Sequence, residues 1–175
     1  MKTRIILALF CGALGATAIT SGASPATNSD DGVTLAAADG FSVQFAFTED
    51  ARIFSSWDKP VPPHFAPVSV ARRKVPFFAV VIFTGAGLSS DGKADVTYDV
   101  VIRKPDGSVY GQEKGLVAAQ GRMDPSPKAL HVAHDCMGVR IEAKDPSGTY
   151  IAELVLRDNV RKSELRAKRS FTVEK

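Results

Sequence analysis

Hydrophobic and polar residues alternate along much of this chain. Phe41, Val43, Phe45 and Phe47 are interleaved with Ser42, Gln44, Ala46 and Thr48. A period of two with aromatic and β-branched residues predicts a strand with one buried face. Val75 to Thr84, VPFFAVVIFT, is apolar at both parities and predicts a central strand covered on both sides. Val96, Tyr98, Val100 and Ile102 alternate with Thr97, Asp99, Val101 and Arg103; Met137, Val139 and Ile141 repeat the pattern. Tyr150, Ala152, Leu154 and Leu156 form one face of a further strand, and the last runs from Leu165 to Val173. Leu116 to Ala119 and Leu130 to Ala133 are weaker runs.

Turn chemistry separates these segments. Pro105-Asp106-Gly107 predicts a tight turn between two strands, and Asp145-Pro146-Ser147-Gly148 and Asp158-Asn159 predict two more. The single helical signal follows Thr48. Thr48 is a candidate cap, Glu49 and Asp50 suit a first turn, and Phe54 and Trp57 lie three apart on one face. A short helix near residues 49–58 is expected, stopped by Pro60, Pro62, Pro63 and Pro67. Trp57 reads as a plug over one end of the core, against the alternative of an aromatic platform for a ligand. About seven to nine short strands with no long helix between them exclude a doubly wound α/β enzyme and predict an all-β antiparallel sandwich.

The first residues carry a different message. Lys2 and Arg4 precede an apolar run from Ile5 to Ile19, about 15 residues against the ~20 that span a bilayer. A basic start, a short apolar stretch and small residues after it predict an export signal over residues 1–23. Cleavage is expected after Ala23, with Ala18 as the alternative. Cys11 follows Phe10, so it does not sit in a lipidation motif. Residues 24–40 are small, polar and aperiodic and read as a flexible leader, leaving 41–175 as one domain. The expected compartment is the periplasm or the exterior, where disulfides persist. Loss of the signal leaves Cys136 alone. It is expected as a buried small hydrophobe, with an intermolecular disulfide or a metal bond as alternatives.

Charge adds little at first. The 175 residues hold 22 Lys and Arg against 19 Asp and Glu, a formal +3. Removal of Lys2 and Arg4 leaves 20 − 19 = +1. No concentrated basic excess argues for nucleic acid. Arg157, Arg161, Lys162, Arg166, Lys168 and Arg169 do crowd the last hairpin, and Arg72-Arg73-Lys74 form a second cluster. The hairpin reads as a solvated, charge-protected edge, with an anionic surface contacted through Arg161, Lys162, Arg166, Lys168 and Arg169 as the alternative.

Three pieces carry a family resemblance. Arg103 to Tyr110, RKPDGSVY, resembles the strand–turn–strand hairpin of exported bacterial sandwich modules. Asp145 to Tyr150, DPSGTY, resembles the turn into their penultimate strand, and Phe171-Thr172-Val173 the closing strand. Together they are similar to immunoglobulin-like domains of the macroglobulin and fibronectin type III kind found in small exported bacterial proteins. The resemblance implies a tyrosine corner, with Tyr150 bonded back to its turn two residues before Ala152, where antibody domains place a cysteine. It implies no chemistry.

Candidate chemistry is sparse. Gly87-x4-Gly92-Lys93 nearly matches a phosphate-binding loop, but Ala94 replaces the Ser or Thr that would hold magnesium, and a strand pattern follows. The glycines read as a hairpin loop. His131, His134 and Cys136 are the candidate ligands for zinc or copper, with an exposed loop and a core cysteine as the competing reading. Neither a GxSxG elbow nor an HExxH motif is present, and Asp95, Asp99 and Asp106 are scattered. The sequence therefore predicts an exported protein without cofactor or catalysis that binds an envelope protein partner through strand edges or loops. A periplasmic metal-binding protein and a small hydrolase are the alternatives.

Overall fold

The computed structural model describes residues 27–28, 32–57 and 64–175. The export signal with its cleavage after Ala23 or Ala18, and the prolines at 60, 62 and 63, lie outside them. The strands run β1 (Thr27–Asn28), β2 (Thr34–Ala38), β3 (Phe41–Thr48), β4 (Val70–Ala71), β5 (Pro76–Thr84), β6 (Lys93–Arg103), β7 (Val109–Arg122), β8 (His131–Val132), β9 (Gly138–Arg140), β10 (Gly148–Asp158) and β11 (Ser163–Val173). Among the described residues the one helix, α1, is Arg52–Ser56. One sheet has the order β1-β2-β3-β5-β8, with β9 also on β5; the other has the order β4-β11-β10-β6-β7. The protein is an all-β sandwich of two sheets. Its seven strands of five residues or more match the expected number, and four strands of two or three residues add to them. All pairings are antiparallel except β4 with β11.

Alternation builds the core. Phe41, Val43, Phe45 and Phe47 of β3 face Val96, Tyr98, Val100 and Ile102 of β6 and Leu154, Leu156, Leu165 and Phe171 of β10 and β11 in one buried cluster. Phe47, Phe77 and Phe171 meet edge to face with centroids 5.1 to 5.4 Å apart, and Tyr150 stacks on Phe171 at 5.3 Å. Each such aromatic pair adds about 0.5–1.5 kcal/mol beyond area burial. The other parity of β5 is also covered. Val80 and Ile82 pack with Ile53 of α1 in a second cluster, flanked by Phe54, Trp57, Phe65 and Val132. This is the physical basis of the doubly apolar strand.

The helix is shorter than its pattern. Thr48 ends β3 and does not cap α1: its hydroxyl donates to Ala66 O and accepts the Asp50 N–H. Ala51 takes the N-cap position with no side-chain bond. Trp57 sits on the outer face of the six-stranded sheet, not over an end of the core. The segment read as a flexible leader is corrected from Thr34 onward. Thr34 and Ala36 are buried in β2, which pairs along β3 from Thr34↔Phe45 to Ala38↔Phe41. Thr34 Oγ1 also donates to Lys168 O of the opposite sheet at 3.0 Å.

Several turns are as expected. Tyr150 Oη donates to Pro146 O at 2.9 Å, so the tyrosine corner is present. Lys104 and Ser108 close the turn at Asp106-Gly107. The glycines after β5 do something else, because β5 and β6 belong to different sheets. Their connection is a crossover and not a hairpin. The Gly87 N–H donates to Asp158 Oδ2, whose partner oxygen accepts the N–H groups of Val160 and Arg161. Arg161 Nη1 donates to Gly85 O at 2.7 Å. A Cβ on Gly87 would lie 2.5 Å from Arg161 Cγ, so glycine is required for this approach. The near match to a phosphate loop is a clamp on the chain's own carboxylate.

These two ties differ in what their loss leaves behind. Tyr150→Phe removes one hydrogen bond and should cost about 1 kcal/mol. Asp158→Asn sets an amide N–H₂ against backbone donors in a site that is 0% exposed, and should cost about 2–3 kcal/mol. Denaturant titration of both variants checks the order; equal small losses would contradict it.

Candidate functional site

The chain between β7 and β9 bridges the two sheets. Ala133 N donates to Val81 O of β5 at 2.8 Å, in one sheet. The next two amides, His134 N and Asp135 N, donate to Ala118 O and Val117 O of β7, in the other sheet, at 3.0 and 2.9 Å. Asp135 Oδ2 accepts the Val117 N–H at 2.9 Å, and Asp135 O accepts the Tyr98 hydroxyl. Three adjacent residues thus stitch the edge of one sheet to the centre of the other.

Beyond the stitch the sheets part. β7 is the outermost strand of its sheet and β8 lies at the edge of the other. Between them opens a cleft of about 420 Å³, lined by Val117 to Met123 of β7 and its end and by His131, Val132, His134 and Asp135. The loop that follows Met123 is tied to the end of β5, where Thr84 Oγ1 donates to Pro127 O at 2.6 Å. A second cleft of about 290 Å³ lies against α1, lined by Phe54, Trp57, and His131 to His134. Trp57 Nε1 donates to Leu130 O at 3.0 Å. His131, Val132 and His134 line both clefts and form the ridge between them.

The predicted ligand residues separate on this frame. His131 pairs opposite Phe83 and lies against its ring, with centroids 5.6 Å apart. His134 is largely exposed, and its Nδ1 lies 2.9 Å from Asp135 Oδ1. Cys136 is exposed, contrary to the expected core cysteine, because Met137, Val139 and Ile141 hold the inward parity and leave Cys136 on the other face. Its thiol is nonetheless pushed up, first by partial burial and then by the Asp135 charge. A raised thiol is a poor nucleophile and a poor thiolate ligand. Among the described residues, no group of three or more His, Cys, Asp or Glu is placed to hold a metal ion.

The basic hairpin is an ion-paired face. Arg166 pairs with Glu164 at 2.6 Å, Lys168 with Glu153 at 2.9 Å, and Arg157 with both Asp99 and Glu164. Arg161 is spent on Gly85 O, Lys162 occupies a turn at φ 57°, and Arg169 takes the inward parity of β11. These residues do not form one surface of uncompensated charge. In the second basic cluster, Arg72 pairs with Glu49, and Arg73 donates to Glu142 O, Asp145 O and Ser147 Oγ, fixing the turn before β10. Gln120, Arg122 and Met123, which help line the larger cleft, come from a glycine-containing stretch with only a weak pattern.

No protein-family model and no curated protein matches this chain. Among solved structures, it is similar to a Niemann-Pick type C2 protein from Japanese carpenter ant, at 11% identity and a TM-score of 0.38, over 60% of this chain and 79% of that one. A likeness of that size carries no functional inference. Among the described residues, no helix is long and apolar enough to cross a membrane.

Asp135 makes the stitch sensitive to acid. The Val117 N–H, and then His134, hold its carboxyl below the usual carboxylate range. A depressed folded pKa stabilises the fold above the unfolded value of about 3.9, and this is lost as pH falls through the lower folded value. The Val117 amide proton shift should therefore titrate with Asp135, at a midpoint under about 3.9. Asp135→Asn should remove that step. A Val117 shift that stays flat in acid would contradict the contact.

Proposed function

We propose that this is an exported, non-catalytic binding protein of the cell envelope that holds a protein partner in the cleft between β7 and β8. One observation carries the reading: two sheet edges diverge from a fixed stitch and leave a recess lined by both backbone edge and side chains. Ligand sites are typically concave, with a few placed polar groups among apolar ones. Ala118, Ala119, Val132 and Met123 supply the apolar part here, and Gln120, Arg122, His131 and His134 the polar part. Export is supported by the basic start and short apolar run before Asp30. The raised Cys136 thiol argues against a thiol nucleophile at this position.

The strand-edge reading narrows under the same geometry. β2 presents the exposed Leu35, but the two-residue β1 pairs along it. The interior of the six-stranded sheet offers no edge. The cleft is where a partner meets open backbone and shaped side chains together.

A photo-crosslinking phenylalanine derivative at Gln120 in cells should give one discrete adduct. The adduct should vanish with the added change His134→Glu, and the same probe at Leu35 should not give it. Equal labelling from Gln120 and Leu35, or none from Gln120, would overturn the proposal.

A further inference from the structure

Resting on that reading, we infer that the partner enters the cleft as an extended acidic peptide segment that adds a strand to the edge of β7 at Ala119–Arg122. Alternate residues of an antiparallel edge strand turn their N–H and C=O groups away from the sheet. On β7 such groups are met at Val117 and Ala118, whose carbonyls accept the amides of Asp135 and His134. From Ala119 to Arg122 the strand makes, among the described residues, no backbone hydrogen bond except to β6. Unmet main-chain groups beside a shaped recess are what strand addition uses, with the backbone giving affinity and alternate side-chain pockets giving selectivity.

The register favours this end of β7 over the other. Ala119 to Arg122 pair without interruption against Val96 to Lys93. The rest of the strand is broken by three register shifts, at Val96/Thr97, Tyr98/Val100 and Ile102/Arg103, whereas Gly121, at φ 105°, keeps its pairing with Ala94. Bulges and charges such as Glu113 and Lys114 blunt an edge against pairing. The unbroken four residues are also the ones beside the cleft.

Charge selects the incoming segment. Asp135 is the one carboxylate among the lining residues, and both its oxygens are engaged, by Val117 N–H and by His134. Arg122 lines the same recess and forms no ion pair among the described residues. Asp95, opposite Gln120, receives the Asn159 Nδ2 at 3.0 Å. Arg122 therefore favours a carboxylate on the added strand over an ammonium group.

The test uses the labelled full-length mature chain and acetylated, amidated heptapeptides that alternate Val with Glu or Val with Lys. The Val/Glu peptide at millimolar concentration should shift the amide resonances of Ala119–Arg122 and His131. Methylating its alternate backbone nitrogens should weaken binding about tenfold or more. Arg122→Glu, an exposed edge change that leaves the core untouched, should reverse the preference toward the Lys peptide. Absence of these shifts, binding undiminished by methylation, or a first response at Leu35 would overturn strand addition. An adduct at Gln120 with a methylated peptide still bound would leave the cleft standing and remove the strand. Peptide binding with no adduct at Gln120 in cells would remove the proposed partner and leave the strand edge.

Discussion

Consecutive amides at Ala133 and His134 bond to different sheets, and the shape of the open side depends on that switch. A β-sandwich has two lateral gaps where its sheets do not meet. Here one gap is narrowed by Thr34 of β2, which donates to Lys168 O across it. The other is pinned by Ala133 to Val81 and by His134 and Asp135 to β7, and again where Tyr110 of β7 donates its hydroxyl to Arg140 O of β9 at 2.7 Å. Each of these bonds is worth about 1 kcal/mol net, but leaving such groups buried and unmet would cost more. The stitch thus fixes where β7 stops being covered and where the cleft starts.

The core makes this local arrangement rigid. Tyr98 has its ring in the buried cluster and its hydroxyl on Asp135 O, so it links the stitch directly to β6. Burial, with the nearby Cys136 and Asp135 charges, pushes that hydroxyl well above its ordinary range and keeps it a donor. On the outer face of the other sheet, α1 covers β5 and places Phe54 and Trp57 beside His131. The ridge of His131 to His134 is therefore held by both sheets and by the helix. Loops carried on such a frame are suited to recognition.

Much of the fold was legible because one buried face forces a period of two. β3, β6, β10 and β11 follow it residue by residue, and Tyr150 announced its corner. β2 was missed because Leu35-Ala36-Ala37-Ala38 has little β-branched signal and its burial depends on β3 and on Lys168, which lie elsewhere in the chain. Cys136 was misplaced by residue type, since the alternation of Met137, Val139 and Ile141 sets it on the opposite, exposed face. The role of Gly87 depends on Asp158, 71 residues on, and the basic hairpin is neutralised by Glu153 and Asp99 from neighbouring strands. His131 and His134 stood out by residue type, whereas the β7 edge beside them did not, since unmet backbone groups leave no mark on a sequence.

Hydrogen exchange in the native protein tests the stitch most directly. The amides of Ala133, His134 and Asp135 should exchange as slowly as those of the core strands, because they close both sheets. Along Ala119–Arg122, the amides turned away from β6 should exchange quickly while their neighbours remain protected. Rapid exchange at 133–135, or uniform protection along 119–122, would contradict a sandwich pinned at 133–135 and open along β7 beyond that stitch.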